Sequence, residues 1–380
     1  MLAGIRVPLV TETVRQKKGG RVMKKVYYVG MDIAKNVFQV FLADERGREL
    51  GNRKLSRLQV KEFFTKLAPC TVGIEACGTA HYWARTLAGM GHEAKLIQPI
   101  RVKAFLGHRN KTDAADARAI CEALMHPGTR FVTVKTEEQQ ERLHYLSLRE
   151  RLARNCTEIV NQIRSFLAEH GLVFPKSRTK FEKNFQELLK TTWDDFSDNF
   201  KRILEENYAE YLSIREKIQE MDVHIKNTAA RDEQCKKLQK INGIGPLTAT
   251  AILAHVGDGK QFQNGRQMAA YLGLTPREHS SGGKQHLLGI SKRGNRQVRT
   301  LLILAAHAVL LGIGRRKTDD DGRPIRLSRL DAWALALKNR IGLFKTTVAL
   351  ANKMARIAWV VLAKGEVFNP VKAVAPVEAR

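Results

Sequence analysis

The sequence predicts an α/β domain followed by mainly helical domains, and three features support this fold class. From Lys25 to about Leu55, β-branched and aromatic residues alternate in segments such as VYYVGMDIA and NVFQVFLAD, as expected of strands. From Leu58 to Met125, helical and strand patterns alternate. From Thr136 to Cys235, apolar residues recur every three or four positions among charged ones, which is typical of long amphipathic helices.

The first domain, predicted over residues 23–135, begins with three strands that end near Leu55. A helix over residues 58–67, a strand over 71–75, a helix over 80–90, a strand over 93–97 and a helical segment over 111–125 follow. Three antiparallel strands, then strands alternating with helices, is the order of the ribonuclease H-like α/β fold. We predict that fold for this domain.

Two helical domains follow. Residues 136–235 are predicted to form a coiled-coil helical hairpin that is broken at residues 171–176 and serves as a spacer or dimerisation arm. Residues 236–380 are predicted to form a helical domain that contains a helix-hairpin-helix element and closes with a helix over about 326–366. Residues 1–22 are predicted to be a disordered basic tail. Because Met23 directly precedes the first predicted strand, the natural start of the chain is expected at either Met1 or Met23.

The charge balance points to a polyanionic partner. Lys and Arg together number 65 against 38 Asp and Glu, which gives a formal net charge of +27 and a pI near 10.1. Phosphates would neutralise this excess, and the release of their counterions gives affinity for any nucleic acid sequence. The alternative is a protein whose charge only reflects a basic proteome.

Cysteine usage and hydropathy favour a cytoplasmic protein. The five cysteines include no C-x-x-C pair, so neither a disulfide framework nor a zinc site is indicated. Residues 1–22 lack the pattern of a secretory signal. The longest apolar stretch, Leu301 to Gly314, is interrupted by His307 and is too short to span a bilayer, so no membrane partner is expected.

Four acidic residues are candidates for a metal site. Asp32 and Glu75 each end a predicted strand, while Asp113 and Asp116 lie three apart in KTDAADARA, at the start of a predicted helix. Strand ends meet at one edge of a sheet, and an i, i+3 pair shares one helix face. Four hard oxygen ligands suit two Mg²⁺ ions, with Mn²⁺ as a substitute, and such a pair promotes phosphodiester displacement.

Each acid also has a structural explanation. Asp113 follows Thr112 and could cap its helix, and strand-end acids are common on protein surfaces. Glu75, however, ends an otherwise apolar strand, where a charge needs a cation or hydrogen bonds. Nearby cations form a predicted basic approach for a phosphate backbone: Arg101, Lys103, His108, Arg109 and Lys111.

The downstream domain carries candidate nucleic-acid-binding residues. In LQKINGIGPLTATAILAHVG, Gly243 and Gly245 allow a tight turn whose backbone amides can grip a phosphate, although the motif also serves as a plain connector. Residues 259–317 contain eleven Lys or Arg against one acid, Glu278, a bias that favours nucleic acid over a solvated basic face. The candidate contacts are Lys284, Lys292, Arg293, Arg296 and Arg299.

A pair of serines lies in the same region. Ser280 and Ser281 precede Gly282 and Gly283 in GLTPREHSSGGK. A serine on such a loop is accessible, and the surrounding cations could stabilise charge that develops on a phosphate during attack. Chemistry alone favours a flexible loop over a nucleophile here.

The strings GMDIAKNVFQV, IEACGTAHYWARTL and KTDAADARAI together resemble the catalytic domain of the DEDD transposases of insertion sequences. These are RuvC-like proteins that are related to the Piv DNA invertase and are understood as bridge-RNA-guided recombinases. The segment from GLTPREHSSGGK through GISKRGNRQVRTLL is similar to the family's second conserved domain. The resemblance spans roughly residues 25–366, with the middle matching only in character.

By this resemblance, Asp32, Glu75, Asp113 and Asp116 fill the four acidic positions, and Ser281 is the nucleophile that links covalently to DNA, with Ser280 as its rival. The resemblance also implies a homodimer or homotetramer and a structured non-coding guide RNA. We therefore expect a transposase or site-specific recombinase that acts in the cytoplasm, at the bacterial nucleoid. Two other functions stay open: a RuvC-like nuclease that uses water as its nucleophile, and a non-catalytic nucleic-acid-binding module.

Overall fold

The computed structural model describes residues 25–107, 112–315 and 327–369. The chain divides into two compact units, residues 1–136 (unit 1) and residues 137–380 (unit 2), and each is described by itself. The predicted tail over residues 1–22 lies outside the described residues, and so do His108, Arg109 and Lys111 of the predicted basic approach.

The described part of unit 1 contains one six-stranded sheet of order β3-β2-β1-β4-β5-β6. Its strands are β1 (Tyr28–Ile33), β2 (Val37–Ala43), β3 (Glu49–Ser56), β4 (Thr71–Glu75), β5 (Glu93–Ile97) and β6 (Phe131–Val132). The first three strands pair antiparallel, β1, β4 and β5 are parallel neighbours, and β6 is antiparallel to β5. The helices are α1 (Arg57–Lys66), α2 (Ala80–Gly89), α3 (Pro99–Leu106) and α4 (Asp113–Met125).

The sheet of unit 1 is covered on both faces. Val29, Met31 and Ile74 point to one face, where they are buried with Val60 of α1 and Trp83 of α2. On the other face, Phe41 and Ala43 of β2 are buried with Ala117 and Cys121 of α4. The strand alternation in the sequence therefore predicted the mixed α/β architecture correctly, and this architecture is compatible with the ribonuclease H-like expectation. The short elements α3 and β6 were not predicted.

Unit 2 is mainly helical. Its helices are α5 (Glu137–Glu169), α6 (Arg178–Thr191), α7 (Asp198–Arg231), α8 (Glu233–Gln239), α9 (Pro246–Val256), α10 (Gly265–Tyr271), α11 (Arg296–Arg315), α12 (Arg329–Ile341) and α13 (Leu343–Lys364). A short hairpin of β7 (Pro276–Glu278) and β8 (Leu287–Ile290) lies between α10 and α11. A core formed by α8, α9, α11 and α13 buries Leu238, Ile252, Leu302 and Leu350.

The long helices α5 and α7 pack side by side and antiparallel. Arg149 of α5 donates two hydrogen bonds to the carboxylate of Asp222 on α7, and Tyr145 stacks on His224 at 4.3 Å between ring centroids. The predicted hairpin of two helices lacks one element that the structure has. Helix α6 lies between α5 and α7 in the chain, and its Phe181 and Phe185 are buried in a core shared with those two helices. The closing stretch over about 326–366, predicted to be helical, consists of two helices separated at Gly342, where φ is +81°.

In the described part of the chain, one helix is long and apolar enough to cross a membrane, the stretch Arg296–Ile313 of α11. The apolar stretch predicted from the sequence started at Leu301 and was too short to span a bilayer, whereas the helix begins at Arg296. A buried core helix passes the same test of length and composition. Val298, Leu302 and Leu310 of α11 are fully buried in the core of unit 2.

Candidate active site

Asp32 and Glu75 lie near the carboxyl ends of neighbouring parallel strands. The pairing of β1 with β4 runs from Tyr28 opposite Thr71 to Met31 opposite Ile74, and the two acids follow that last pair. Met31 and Ile74 are fully buried on the α1–α2 face. Because side chains alternate along a strand, Asp32 and Glu75 belong to the opposite face, on which α4 packs.

Two glycines bring α4 very close to this face of the sheet. A Cβ atom on Gly30 would stand 2.1 Å from the carbonyl oxygen of Ala117 and 2.6 Å from the backbone nitrogen of Cys121. A Cβ on Gly73 would stand 3.1 Å from Cβ of Leu124. The backbone of α4 can pack directly on the sheet because Gly30 has no side chain at the contact. Gly30 and Gly73, each two residues before an acid, therefore determine how closely α4 packs on the sheet.

The first turn of α4 presents the other two acids. Thr112 caps the helix by accepting a hydrogen bond from the Ala115 backbone N–H at 3.2 Å. The cap is therefore Thr112, which removes the capping role that the sequence left open for Asp113. Asp113 and Asp116 both lie in the first helical turn, where the helix dipole favours negative charge.

Asp32 is affected electrostatically by the other three carboxylates. Burial, followed by the charges of Asp116, Asp113 and Glu75, raises the pKa of Asp32 to about 6. The fold therefore brings all three acids within electrostatic reach of Asp32. Among the described residues, no group of three or more His, Cys, Asp or Glu side chains converges at metal-ligand spacing. The described residues therefore do not bring these acids together as a preformed ligand set, and metal binding by the four acids stays a prediction.

Two polar residues that support this site were not predicted from the sequence. The Gln39 side-chain amide donates a short hydrogen bond to Oδ1 of Asn52, and Asn52 in turn donates to the carbonyl oxygen of Ala114 in the first turn of α4, at 3.4 Å. Gln39 is also the strand partner of Asp32. In the sequence, Gln39 and Asn52 are polar residues on two predicted strands. Their hydrogen-bond partners are set by the tertiary fold and could not be predicted from that pattern.

The cations predicted beside the acids are described in part. Arg101 and Lys103 lie on α3 with exposed side chains. α3 packs against α4 in unit 1, through a small core that includes Val102 and Ile120. Both cations are therefore accessible to a phosphate backbone.

The predicted serine loop is the tip of the β7–β8 hairpin in unit 2. Gly282 and Gly283 have φ values of +57° and +75°, and Lys284 N–H donates to the carbonyl oxygen of Ser281 at 3.1 Å. Two successive left-handed residues form the tight turn that suits a β-hairpin, and glycine adopts that conformation readily. The side chains at this tip are exposed.

The two serines differ in their surroundings. The Ser280 hydroxyl donates to Oε1 of Glu278 at 2.5 Å and accepts from the His286 backbone N–H at 3.2 Å, so it holds the two strands of the hairpin together. Ser281 contributes its backbone carbonyl to the turn and lies at the exposed tip. This geometry gives Ser280 a structural role and leaves the Ser281 hydroxyl accessible.

The remaining candidates in unit 2 fall into two groups. Lys284, Lys292, Arg293 and Arg296 are exposed, as a phosphate contact requires, and Gly243 and Gly245 form the turn between α8 and α9. Arg299 is an exception to the prediction. It is buried in unit 2, and its guanidinium donates to the carbonyl oxygens of Leu272, Arg293 and Asn295. Arg299 thus fixes the start of α11 rather than facing a phosphate.

Both units match families of known proteins. Residues 29–172 match a family model described as Transposase, of the DEDD type of IS110 elements, and residues 235–318 match one described as Transposase IS116/IS110/IS902 family. The first match contains all four acids, and the second contains both serines.

Similar proteins cover almost the whole chain. The transposase for insertion sequence element IS1111A of Coxiella burnetii is 40% identical over 353 residues, which are 93% of this chain and 94% of that protein. A probable family 20 transposase of Pseudomonas aeruginosa is 39% identical over 90% of this chain and 98% of its own length. A pilin gene-inverting protein of Moraxella bovis is 26% identical over 76% of this chain and 84% of its own.

Proposed function

This chain belongs to the IS116/IS110/IS902 family of transposases, enzymes that cut and rejoin DNA, and from that premise we propose how its residues perform the reaction. Four carboxylates of unit 1 would hold divalent cations that activate the scissile phosphate, and Ser281 of unit 2 would attack it. The observation that carries the proposal is the placement of Asp32 and Glu75 near the carboxyl ends of neighbouring strands, on the face packed by α4, whose first turn holds Asp113 and Asp116.

The donor set fits Mg²⁺, with Mn²⁺ as a substitute. Asp32, Glu75, Asp113 and Asp116 supply only hard carboxylate oxygens, the ligands that both ions accept. Besides burial, the charges of Asp116, Asp113 and Glu75 raise the pKa of Asp32, and a bound cation would relieve that repulsion. Bound in a pair, such ions stabilise both the attacking and the leaving oxygen of a phosphodiester displacement.

Ser281 acts as the nucleophile in this proposal. Its Oγ forms a bond to phosphorus, the bond from phosphorus to one strand oxygen breaks, and the hydroxyl proton is finally taken up by that leaving oxygen. The phosphodiester energy is kept in the serine–DNA bond, so a second strand can reverse the step without an external energy source. The exposed position of Ser281 at the hairpin tip supports this role, as does its place directly before a glycine.

The proposal extends to partners. The net charge of +27 and the exposed cations of unit 2 favour binding of more nucleic acid than the cleaved DNA strand alone. We include a structured guide RNA that pairs with donor and target DNA, and a dimer or tetramer in which one subunit's serine completes another subunit's acidic site. Both follow from the family resemblance. The site of action is then the nucleoid in the bacterial cytoplasm.

A covalent adduct tests the proposed function. Purified protein is incubated with Mg²⁺, DNA ends and any RNA that co-purifies, and protein–DNA adducts are mapped by mass spectrometry. We expect an adduct on Ser281 that requires Mg²⁺. Cleavage without any adduct would instead indicate a water nucleophile, and an adduct on a residue other than Ser280 or Ser281 would overturn the site assignment.

A further inference from the structure

Unit 2 contains a cavity that the proposed reaction does not use. It has a volume of about 710 Å³ and lies between the start of α10, the middle of α13 and the segment that follows α13. Gly265 of α10 is packed against the backbone of Arg356, since a Cβ there would stand 2.9 Å from the Arg356 carbonyl oxygen. The cavity is therefore built from helices in close contact.

Three cations line this cavity. Lys353 and Arg356 lie three positions apart on α13, and Arg266 lies on α10. Within the residues that the structure describes, none of the three forms an ion pair with an acid, and the Lys353 ammonium instead lies over the ring of Trp333, 4.9 Å from its centroid. Like charges at this helical spacing repel one another.

The local electrostatics favour a bound anion. Burial and the neighbouring charge of Arg356 lower the pKa of Lys353. A lysine and an arginine that are held together without a counter-ion destabilise the fold slightly, and an anion between them would remove that repulsion.

The rest of the wall suits a flat apolar group. Ile357, Val360 and Phe368 line the cavity beside the cations, and Glu366 supplies a carboxylate that can accept hydrogen bonds. The volume falls in the range of pockets that hold a ligand of nucleotide size and exceeds what a free phosphate fills. Arg266, Arg356 and Glu366 are exposed at this cavity, so one nucleotide of a flexible strand can reach it from solvent.

We propose that this cavity binds a nucleotide of single-stranded DNA, with the phosphate between Lys353, Arg356 and Arg266 and the base against the apolar wall. DNA is the substrate of the family to which the chain belongs, and a cut strand must leave its complement before it can be joined to another strand. The inference rests on that substrate and is independent of the carboxylates and of Ser281.

The test is a binding assay without divalent cations, so that no cleavage takes place. Labelled single-stranded DNA of about 12 nucleotides, a length within the roughly 4–16 nucleotides that single-strand-binding OB folds cover, is titrated at several salt concentrations. The double variant Lys353→Gln with Arg356→Gln is compared with the charge-matched control Arg340→Gln with Lys345→Gln, whose side chains are exposed on α12 and α13. Thermal unfolding of both variants checks their folds.

We expect the cavity variant to bind on the order of tenfold more weakly than the control variant, as the removal of a charge-assisted hydrogen bond predicts. For this variant, the slope of the logarithm of the binding constant against the logarithm of the salt concentration should become less negative. The change should be about 0.7 for each phosphate that the variant no longer neutralises. The cavity variant should unfold close to the wild-type temperature, because the loss of the Lys353–Trp333 contact offsets the removal of the repulsive pair.

Equal losses of affinity in the two double variants would overturn the inference, since the cavity cations would then contribute only to the overall charge. A larger loss on RNA of the same sequence than on DNA would overturn the assignment to DNA. As a second measurement, DNA that carries 4-thiothymidine should crosslink to the peptide spanning residues 353–368. Crosslinks confined to other peptides would also contradict the proposal. Because cleavage is not measured, a failure here leaves the proposed reaction untouched.

Discussion

Gly30 lies directly beneath Ala117, and a Cβ atom at Gly30 would stand 2.1 Å from the Ala117 carbonyl oxygen. This contact fixes the distance between β1 and α4, and with it the distance between Asp32 and the acids Asp113 and Asp116. The candidate metal site therefore depends on a residue that has no chemistry of its own.

Gly30→Ala should disrupt the site by pushing α4 away from the sheet. We expect a destabilisation of about 1–3 kcal/mol, the usual range for overpacking, together with loss of metal-dependent DNA cleavage. Gly51→Ala is the control, because a Cβ on this glycine of β3 would meet only Cδ1 of Leu42, at 3.9 Å. Urea unfolding and a cleavage assay measure both effects. Full activity of Gly30→Ala would show that α4 does not need this contact.

Asp32→Asn should stabilise the metal-free protein at neutral pH. Burial and the acids Asp116, Asp113 and Glu75 raise the pKa of Asp32 to about 6, above its usual value near 4 in an unfolded chain. The folded state thus holds this proton more tightly, so protonated Asp32 contributes stability below pH 4, and that stability is lost as the pH rises through 6.

The two proteins should therefore unfold alike below pH 4 and diverge up to pH 7. Asp32 is partly exposed, and after allowance for solvent screening the variant should gain roughly 1–2 kcal/mol at pH 7.5. Thermal unfolding in a chelator, repeated across this pH range, measures the difference. Mg²⁺ should raise the unfolding temperature of the wild type and have little effect on the variant. A variant that is less stable than the wild type at pH 7.5 would refute the assignment of repulsion at Asp32.

The sequence was a good guide to the sheet of unit 1 and a poor guide to what supports the site. The two strands were predicted from alternating or continuous apolar residues, which indicate burial; β4 ends at Glu75 as expected, and β1 ends at Ile33, one residue after Asp32. Glycines inside the predicted strands, at positions 30 and 73, were an unused signal of close backbone approach.

Other features depended on tertiary context. α3 begins at Pro99 and spans only eight residues, too short for a periodic pattern to be recognised. The burial of Arg299 was hidden because its partners, the carbonyl oxygens of Leu272, Arg293 and Asn295, are backbone groups that any sequence possesses. A basic stretch therefore predicted an exposed cation where the fold has a structural one.

Arg299→Gln should destabilise the fold and leave the intrinsic affinity for DNA nearly unchanged. It removes a buried guanidinium that donates to three carbonyl groups, and hydrogen bonds of charged groups contribute about 1.5–3 kcal/mol. Arg296→Gln is the matched variant on the same helix, since Arg296 is exposed; it should weaken DNA binding and leave stability within about 0.5 kcal/mol. Denaturant titration and DNA binding at a temperature where both are folded separate the effects. The reverse pattern would restore Arg299 as a DNA contact.

Ser281→Ala should abolish strand transfer, with a loss of roughly 10³-fold or more as for other covalent nucleophiles. Ser280→Ala should lower activity only severalfold, because it loses the hydrogen bonds to Glu278 and His286 that hold the hairpin but keeps the attacking hydroxyl. Glu278→Gln tests the same support. Adduct formation and strand joining are measured separately on each variant. If Ser280→Ala is inactive and Ser281→Ala is active, the two roles are exchanged.

The central claim is that four carboxylates of unit 1 hold divalent cations, and Mn²⁺ binding followed by electron paramagnetic resonance tests it most directly. We predict tight Mn²⁺ binding by the wild type that is abolished or strongly weakened in Asp32→Asn and Asp116→Asn. Glu62→Gln, which removes an exposed acid of α1, should bind Mn²⁺ like the wild type. Unchanged Mn²⁺ affinity and stoichiometry in both aspartate variants would contradict the account.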